Sequence, residues 1–261
     1  MYKRYYDIDV DAKAYANNIV KAGGRIPSDI GSVSDFIKKL KINNLWIDIL
    51  DVWLMRKDHN IGTGTTVYAL KNDRYNAKMS SASMVWDNTG IIKNVSTQYL
   101  SVQLNSEGSR VNRSLIAVAK RSTAQNVVLS YGNLSATRFA LKTEIGGDRV
   151  DRVALDSYNG STNDNFGITS AVGIFNQLAA SYDTHTLLFK ANNLTATTSS
   201  ISMSFPNNTL VIFGGWQSSN ITAALGTTSF GLISDRAFSS AQIDTFYSIM
   251  KTTIGKGLGL P

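Results

Sequence analysis

Cysteine is absent from the 261-residue chain, so neither disulfides nor thiolate metal sites hold it together, and redox chemistry gives no compartment. Proline occurs three times and histidine twice. Glutamate stands only at Glu107 and Glu144. Long apolar runs are missing as well: the longest, Leu45 to Met55, is interrupted by Asp48 and Asp51 and falls short of the roughly 20 residues that a spanning helix needs. The opening Met1 to Asp7 has basic residues without an apolar stretch behind them, so neither an export signal nor a membrane partner is expected.

Positive charge is what the chain has in excess. The formal net charge is +7. Much of it lies between Arg110 and Arg152, where eight Lys or Arg face Glu144, Asp148 and Asp151. These cations stand singly or as the pair Lys120-Arg121, without interleaved aromatics, so nucleic acid is disfavoured as a partner, while phosphate or acidic glycan remains open. From Ser157 to Ile233 the charges shrink to Asp164, Asp183 and Lys190, and Asn, Ser and Thr carry the polarity. The seven Asn-x-Ser/Thr triplets from Asn94 to Asn220 read as a by-product of that composition rather than as glycan acceptors.

Residues 9 to 55 follow a helical period. Asp9 or Asp11 caps a first helix with Ala12, Tyr15, Ala16, Ile19 and Val20 on one face, stopped by Gly23-Gly24. Phe36, Ile37 and Leu40 mark a second. Trp46, Ile49, Leu50 and Trp53 predict a third, with Asp48 and Asp51 on its outer side. From Thr65 the period changes to two, and short strands separated by turns such as Gly146-Gly147-Asp148 and Asn159-Gly160 run to Ser234 without helical interruption. The fold expected is a mostly β antiparallel sandwich over 61–261, with a helical lead over 1–60. A closing helix is expected over 239–254, capped by Ser239 and Gln242.

Several segments resemble the concanavalin A-like, LamG-like jelly rolls of tailed-bacteriophage virion proteins. They are Leu45-Trp-Ile-Asp-Ile-Leu-Asp-Val-Trp-Leu54, Met84-Val-Trp-Asp-Asn-Thr-Gly-Ile91 and Ser96-Thr-Gln-Tyr-Leu100. The fullest is Thr228-Ser-Phe-Gly-Leu-Ile-Ser-Asp-Arg-Ala-Phe-Ser-Ser-Ala-Gln-Ile-Asp-Thr-Phe-Tyr247. The resemblance implies a jelly roll in a tail, fibre or capsid decoration protein located in the virion. It also implies residues 1–60 joining other virion proteins, a homo-oligomer, and a cell-surface glycan as ligand.

Glucanases of this fold place two carboxylates across the scissile bond on a Glu-x-Asp-x-x-Glu strand. Glu107 and Glu144 each lie in or beside a turn, with no second carboxylate two or four residues away on a strand, so a non-enzymatic role is expected. His59 and His185 fit no metal spacing and are read as structural. Val153-Ala-Leu-Asp-Ser-Tyr-Asn159 resembles the ligand run of legume lectins, but Ala154 stands where that run has glutamate. Neither a metal nor a cofactor is therefore expected. Trp216, beside Gln217 and Asn220, sets an aromatic face next to amide groups, as a sugar ring prefers, and Tyr158 with Asn159 offers the same pairing. Packing inside the sandwich is the alternative for Trp216. The function expected is a virion structural protein with a lectin-like sandwich. A carbohydrate-binding receptor module is the first alternative, and a glycan-degrading enzyme the second.

Overall fold

The computed structural model describes residues 7–95, 97–104, 112–121, 126–132, 138–144, 152–158, 163–169, 173–194, 197–200, 209–213, 215–217, 221–223 and 225–261. Helix α1, Val10–Lys21, starts where the Asp9 carboxylate accepts the Asp11 N–H at 2.9 Å. It ends at Gly23, whose φ of 87° an L residue adopts only with strain. Helix α2, Ile30–Ile42, is capped by Asp29 on the Ser32 N–H and buries Val33, Phe36, Ile37 and Leu40 at helical spacing. Helix α3, Ser240–Thr252, carries the full capping box of Ser239 and Gln242.

The third helix of the lead is a strand. Strand β1, Ile49–Leu54, has Trp53 on one face and Val52 and Leu54 on the other, all buried. A strand covered on both sides loses the polar alternation that would mark it. Asp51, expected in water, has no exposed surface. Its carboxylate accepts the N–H groups of Val52, Lys71 and Asn72 at 2.7–3.0 Å.

All strand pairs are antiparallel. The first sheet runs β14 (Thr197–Ser200), β13 (Thr186–Ala191), β12 (Asn176–Asp183), β7 (Asn112–Arg121), β18 (Gly226–Ser234), β5 (Ile91–Lys93), β4 (Val85–Trp86). Strand β1 also joins β18, over Phe230–Ser234, past the stretch that pairs with β5. The second sheet runs β11 (Asn163–Thr169), β10 (Arg152–Tyr158), β9 (Arg138–Glu144), β8 (Asn126–Gly132), β15 (Thr209–Phe213), β6 (Leu100–Leu104), β3 (Ala77–Met79), β2 (Thr66–Val67). A two-stranded ribbon, β16 (Gly215–Gln217) with β17 (Ile221–Ala223), stands apart.

Two apolar layers follow from this order. Between the sheets lie Trp53, Leu115, Ala117, Leu178, Ala180, Leu129, Tyr131, Val211 and Phe213. The alternate residues of the first sheet, Ile116, Val118, Ala179, Phe230 and Leu232, face outward and are covered by α1, α2 and α3. The rings of Phe36, Phe230 and Phe246 meet at 5.7–6.1 Å and tie α2, β18 and α3 together. Across the sandwich, Trp53 meets Phe213 at 5.2 Å. Gly231 permits this, because a Cβ there would stand 2.0 Å from the Phe213 ring. The first sheet is thus the middle of three layers, which explains why every residue of β18 is buried. No helix among the described residues is long and apolar enough to cross a membrane.

Candidate functional site

The strand registers fix which chain segments share each end of the sandwich. Tyr158 pairs with Arg138, and Arg138 with Gly132. Phe213 pairs with Leu129, and β15 runs antiparallel to β8, so the chain leaves Phe213 toward the Asn126 end. Trp216 and Gln217, in the ribbon opposite Thr222 and Ile221, follow on that side. Tyr158 stands at the other end of β8. The two aromatic-amide groups singled out in the sequence are therefore parted by roughly the length of a strand, about 17 Å at 3.4 Å per residue. Asn159 and Asn220 lie outside the described residues.

The ribbon end is where the chain changes sheets. Strand β15 belongs to the second sheet and ends at Phe213, whereas β18 belongs to the first and begins at Gly226. The chain between them must cross from sheet to sheet, and β16 and β17 are that crossing. Nothing in the sequence marked this role, since it depends on which sheet each flanking strand joins.

At the opposite end Arg113, without exposed surface, reaches from β7 into the space between the sheets. One of its terminal nitrogens donates to the Asp235 carboxylate and its guanidinium lies 5.6 Å from the Tyr131 ring centre. That ion pair anchors the turn after β18, where the Ser114 hydroxyl donates to the Arg236 carbonyl.

A third group of ionisable residues binds the helical layer to the chain terminus. The buried His59 imidazole stands 3.4 Å from Asp29 through Nε2 and 3.9 Å from Asp58 through Nδ1. The Arg56 fork holds Asp58 at 2.9 and 3.2 Å and donates onward to the carbonyls of Ile254 and Lys256. The Tyr15 hydroxyl donates to the His59 carbonyl. The hydrogen bond from His59, with a smaller share from the Ser32 contacts, holds the Asp29 carboxyl down to about 2. Ligand atoms of Asp29, Asp58 and His59 lie within 4.8 Å of one another. They do not suit a metal ion, because the two ring nitrogens face different carboxylates and Asp58 is already engaged by Arg56. The cluster is an ion-pair clamp. The cleft beside it, about 10 Å³ and so no larger than a water molecule needs, is walled by Leu54, Val118, Phe230, Met250 and Ile254.

No family model matches the sequence, and no curated protein matches it. Solved structures do match in fold. A Trypanosoma rangeli sialidase with a covalent difluorosialic acid intermediate superposes with a TM-score of 0.63 over 94% of this chain and 38% of its own, at 12% identity. The same organism's sialidase in complex with sialic acid gives 0.61 over 80% and 34%, at 11% identity. The fold is similar to part of a sialidase. A heptameric pentraxin from Limulus polyphemus matches at 0.46 over 58% of this chain and 76% of its own, at 12% identity. At these identities the likeness shows the fold alone, and the chain spans little more than a third of the sialidases' length.

The comparison corrects the expectation of a non-enzymatic chain. That expectation rested on the missing pair of carboxylates, and sialidases are an exception to that scheme, since they use a tyrosine nucleophile. The absence of a Glu-x-Asp-x-x-Glu strand thus excludes one hydrolytic route only, and the fold is one that glycan-active proteins share with this chain.

Proposed function

We propose that the chain binds glycan through its lectin-like sandwich, with the ribbon of Trp216 and Gln217 at the contact. The observation that carries this reading is the fold likeness to sialidases, one of them solved with sialic acid, over most of the chain. The composition between Ser157 and Ile233, poor in charge and rich in Asn, Ser and Thr, supports it, because such groups meet sugar hydroxyls without charge. The test is a glycan array probed with the full chain. Binding to a subset of glycans is expected, with Trp216→Ala lowering the signal at least tenfold at an unchanged melting temperature. A blank array, or a variant that binds as well as the parent, would sink the proposal.

A place on a tailed-phage particle is the finer proposal, supported by the sequence segments that resemble virion jelly rolls. Residues 1–60 would join neighbouring virion proteins or further copies through Val10, Ile42 and Ile47, which are apolar and 68–82% exposed on the helical layer. Mass spectrometry of purified particles from the producing cell tests it, and particles lacking peptides of this chain would refute it.

A further inference from the structure

Helix α3 stops at Thr252, and the chain after it joins neither a strand nor a helix. Residues 254–261 nevertheless lie folded against the body. The Gly255 N–H closes the helix on the Met250 carbonyl at 2.8 Å, and a Cβ at Gly255 would stand 3.1 Å from the Leu260 side chain, so the segment curls back on its own start. Ile254, Leu258 and Leu260 are buried in the helical layer, whereas Lys256, Gly257, Gly259 and Pro261 are exposed. Gly257 and Gly259 hold φ of 86° and 67° with nothing near the place of a Cβ. They serve the backbone angle rather than a close contact.

Few groups hold this segment down. Its internal bonds are local, from the Lys256 N–H to the Thr253 carbonyl and from the Leu258 N–H to the Gly255 carbonyl, at 3.1 Å each. From the body, Arg56 donates to the carbonyls of Ile254 and Lys256 at 3.0 and 2.9 Å, while Tyr247 and Lys251 donate to the Pro261 main-chain oxygen. The last two donors belong to α3 itself, so Arg56, just past β1, is the tie from the rest of the layer. Its fork is aimed by the Asp58 carboxylate. The small cleft lies beneath, with Ile254, Gly255 and Leu258 on one side and Val118 and Phe230 on the other. Glycines at 255, 257 and 259 gain much backbone freedom on release, and only three apolar side chains oppose it. A segment held in this way belongs to the low-stability end of a fold.

We propose that residues 254–261 are a strap that lifts as one unit while α3 and the sandwich stay folded, with Arg56 as its fastener. Lifting it opens the cleft to water and uncovers Phe230 and Met250. The fastener is rooted in the helical lead, because Asp58 stands beside His59, which meets the Asp29 cap of α2. The strap is thus tied to the start of α2 through side chains that neither element contains.

The experiment is amide hydrogen exchange on the full chain, read residue by residue at urea concentrations below the unfolding transition. The Gly255, Lys256 and Leu258 N–H groups should share one protection factor, at least tenfold below that of Phe246 and Tyr247 in α3, and their exchange should hardly respond to urea. Arg56→Gln should speed these three amides at least fivefold and leave the α3 amides as they are. Gly257→Ala, which acts on the backbone angle alone, should do the same. Strap amides with no protection, or with the protection and urea response of α3, overturn the proposal. So does an Arg56→Gln chain whose strap amides are unchanged or whose α3 amides speed up equally. If Arg56→Gln does not fold, Gly257→Ala decides by the same readings.

Discussion

Two buried charges, Asp51 and Lys93, are treated in opposite ways by the same fold. Asp51 lies where β1 meets the loop after β2 and receives three backbone N–H groups, with the Lys71 ammonium close by, itself bonded to the carbonyls of Trp46 and Ile49. Around it Asn60 is equally saturated, donating to the Leu54 and Tyr68 carbonyls and accepting from Ile61 and Tyr68. Lys93 has neither a counter-charge nor a hydrogen bond among the described residues. The lesson is that burial of charge alone does not mark a site. Where the chain supplies every partner, the charge is architecture, as at Asp51, and where burial meets no counter-charge among the described residues, as at Lys93, it lowers the ammonium's affinity for its proton.

The severest way to break the saturated corner is to remove it. Deleting residues 1–60 takes away β1 from the middle sheet and two of the three helices that cover Phe230 and Leu232. The expected product is unfolded or aggregated, seen as a lost cooperative melt in circular dichroism and by light scattering. A soluble, cooperatively melting product would show that the sandwich stands without the corner.

A smaller break is Asp51→Ala, which strands three buried N–H groups and should cost about 3–5 kcal/mol in urea unfolding. Burial raises the Asp51 carboxyl to about 7 against the pull of those N–H groups. The folded state therefore binds the extra proton between about pH 4 and 7, and stability falls as pH rises through that window. Asp51→Asn, neutral throughout, should flatten that fall, and an unchanged slope would remove Asp51 as its cause.

The smallest change acts on the unsaturated end and has the opposite sign. With its folded pKa near 7 and its unfolded value at 10.5, Lys93 penalises the fold fully below pH 7, and stability recovers as pH rises toward 10.5. Lys93→Met should raise stability at pH 7 by about 1–4 kcal/mol and abolish the alkaline recovery. A destabilised Met variant would mean that the ammonium is answered after all.

Much of the architecture could be read from residues. The caps Asp9 and Ser239 and the stripes behind them located α1 and α3, and the change of period at Thr65 located the run of strands from β2 to β18. The reading failed where period and environment part company. The spacing of Trp46, Ile49, Leu50 and Trp53 suits a helix face, yet Ile49–Leu54 is a strand because helices cover one side of it and the second sheet the other. Strand β12, Asn-Gln-Leu-Ala-Ala-Ser-Tyr-Asp, is hard to read from sequence for the same reason: buried at every position but Asp183, it carries small residues in place of alternation. At the ribbon, the aromatic beside amides at Trp216 is a feature of the sequence, whereas the place of its backbone in the crossing between the sheets belongs to the fold. The burial of Lys93 was not legible, since it arises where β5 meets β18, with Lys93 paired to Gly226, distant in the sequence and adjacent only in the folded sheet.

The pairing of β1 with β18 also sets a timetable. Leu54 is synthesised long before Gly226, and at about 5–20 residues per second the ribosome takes roughly 10–35 s to make the intervening chain. Throughout that interval α1 and α2 can form from their own caps, but the strand that forms the floor beneath Phe36 does not yet exist. The nascent protein therefore carries a finished roof with no building under it, and a chaperone that shields the apolar stripes of the two helices would act before the last strand rather than after it.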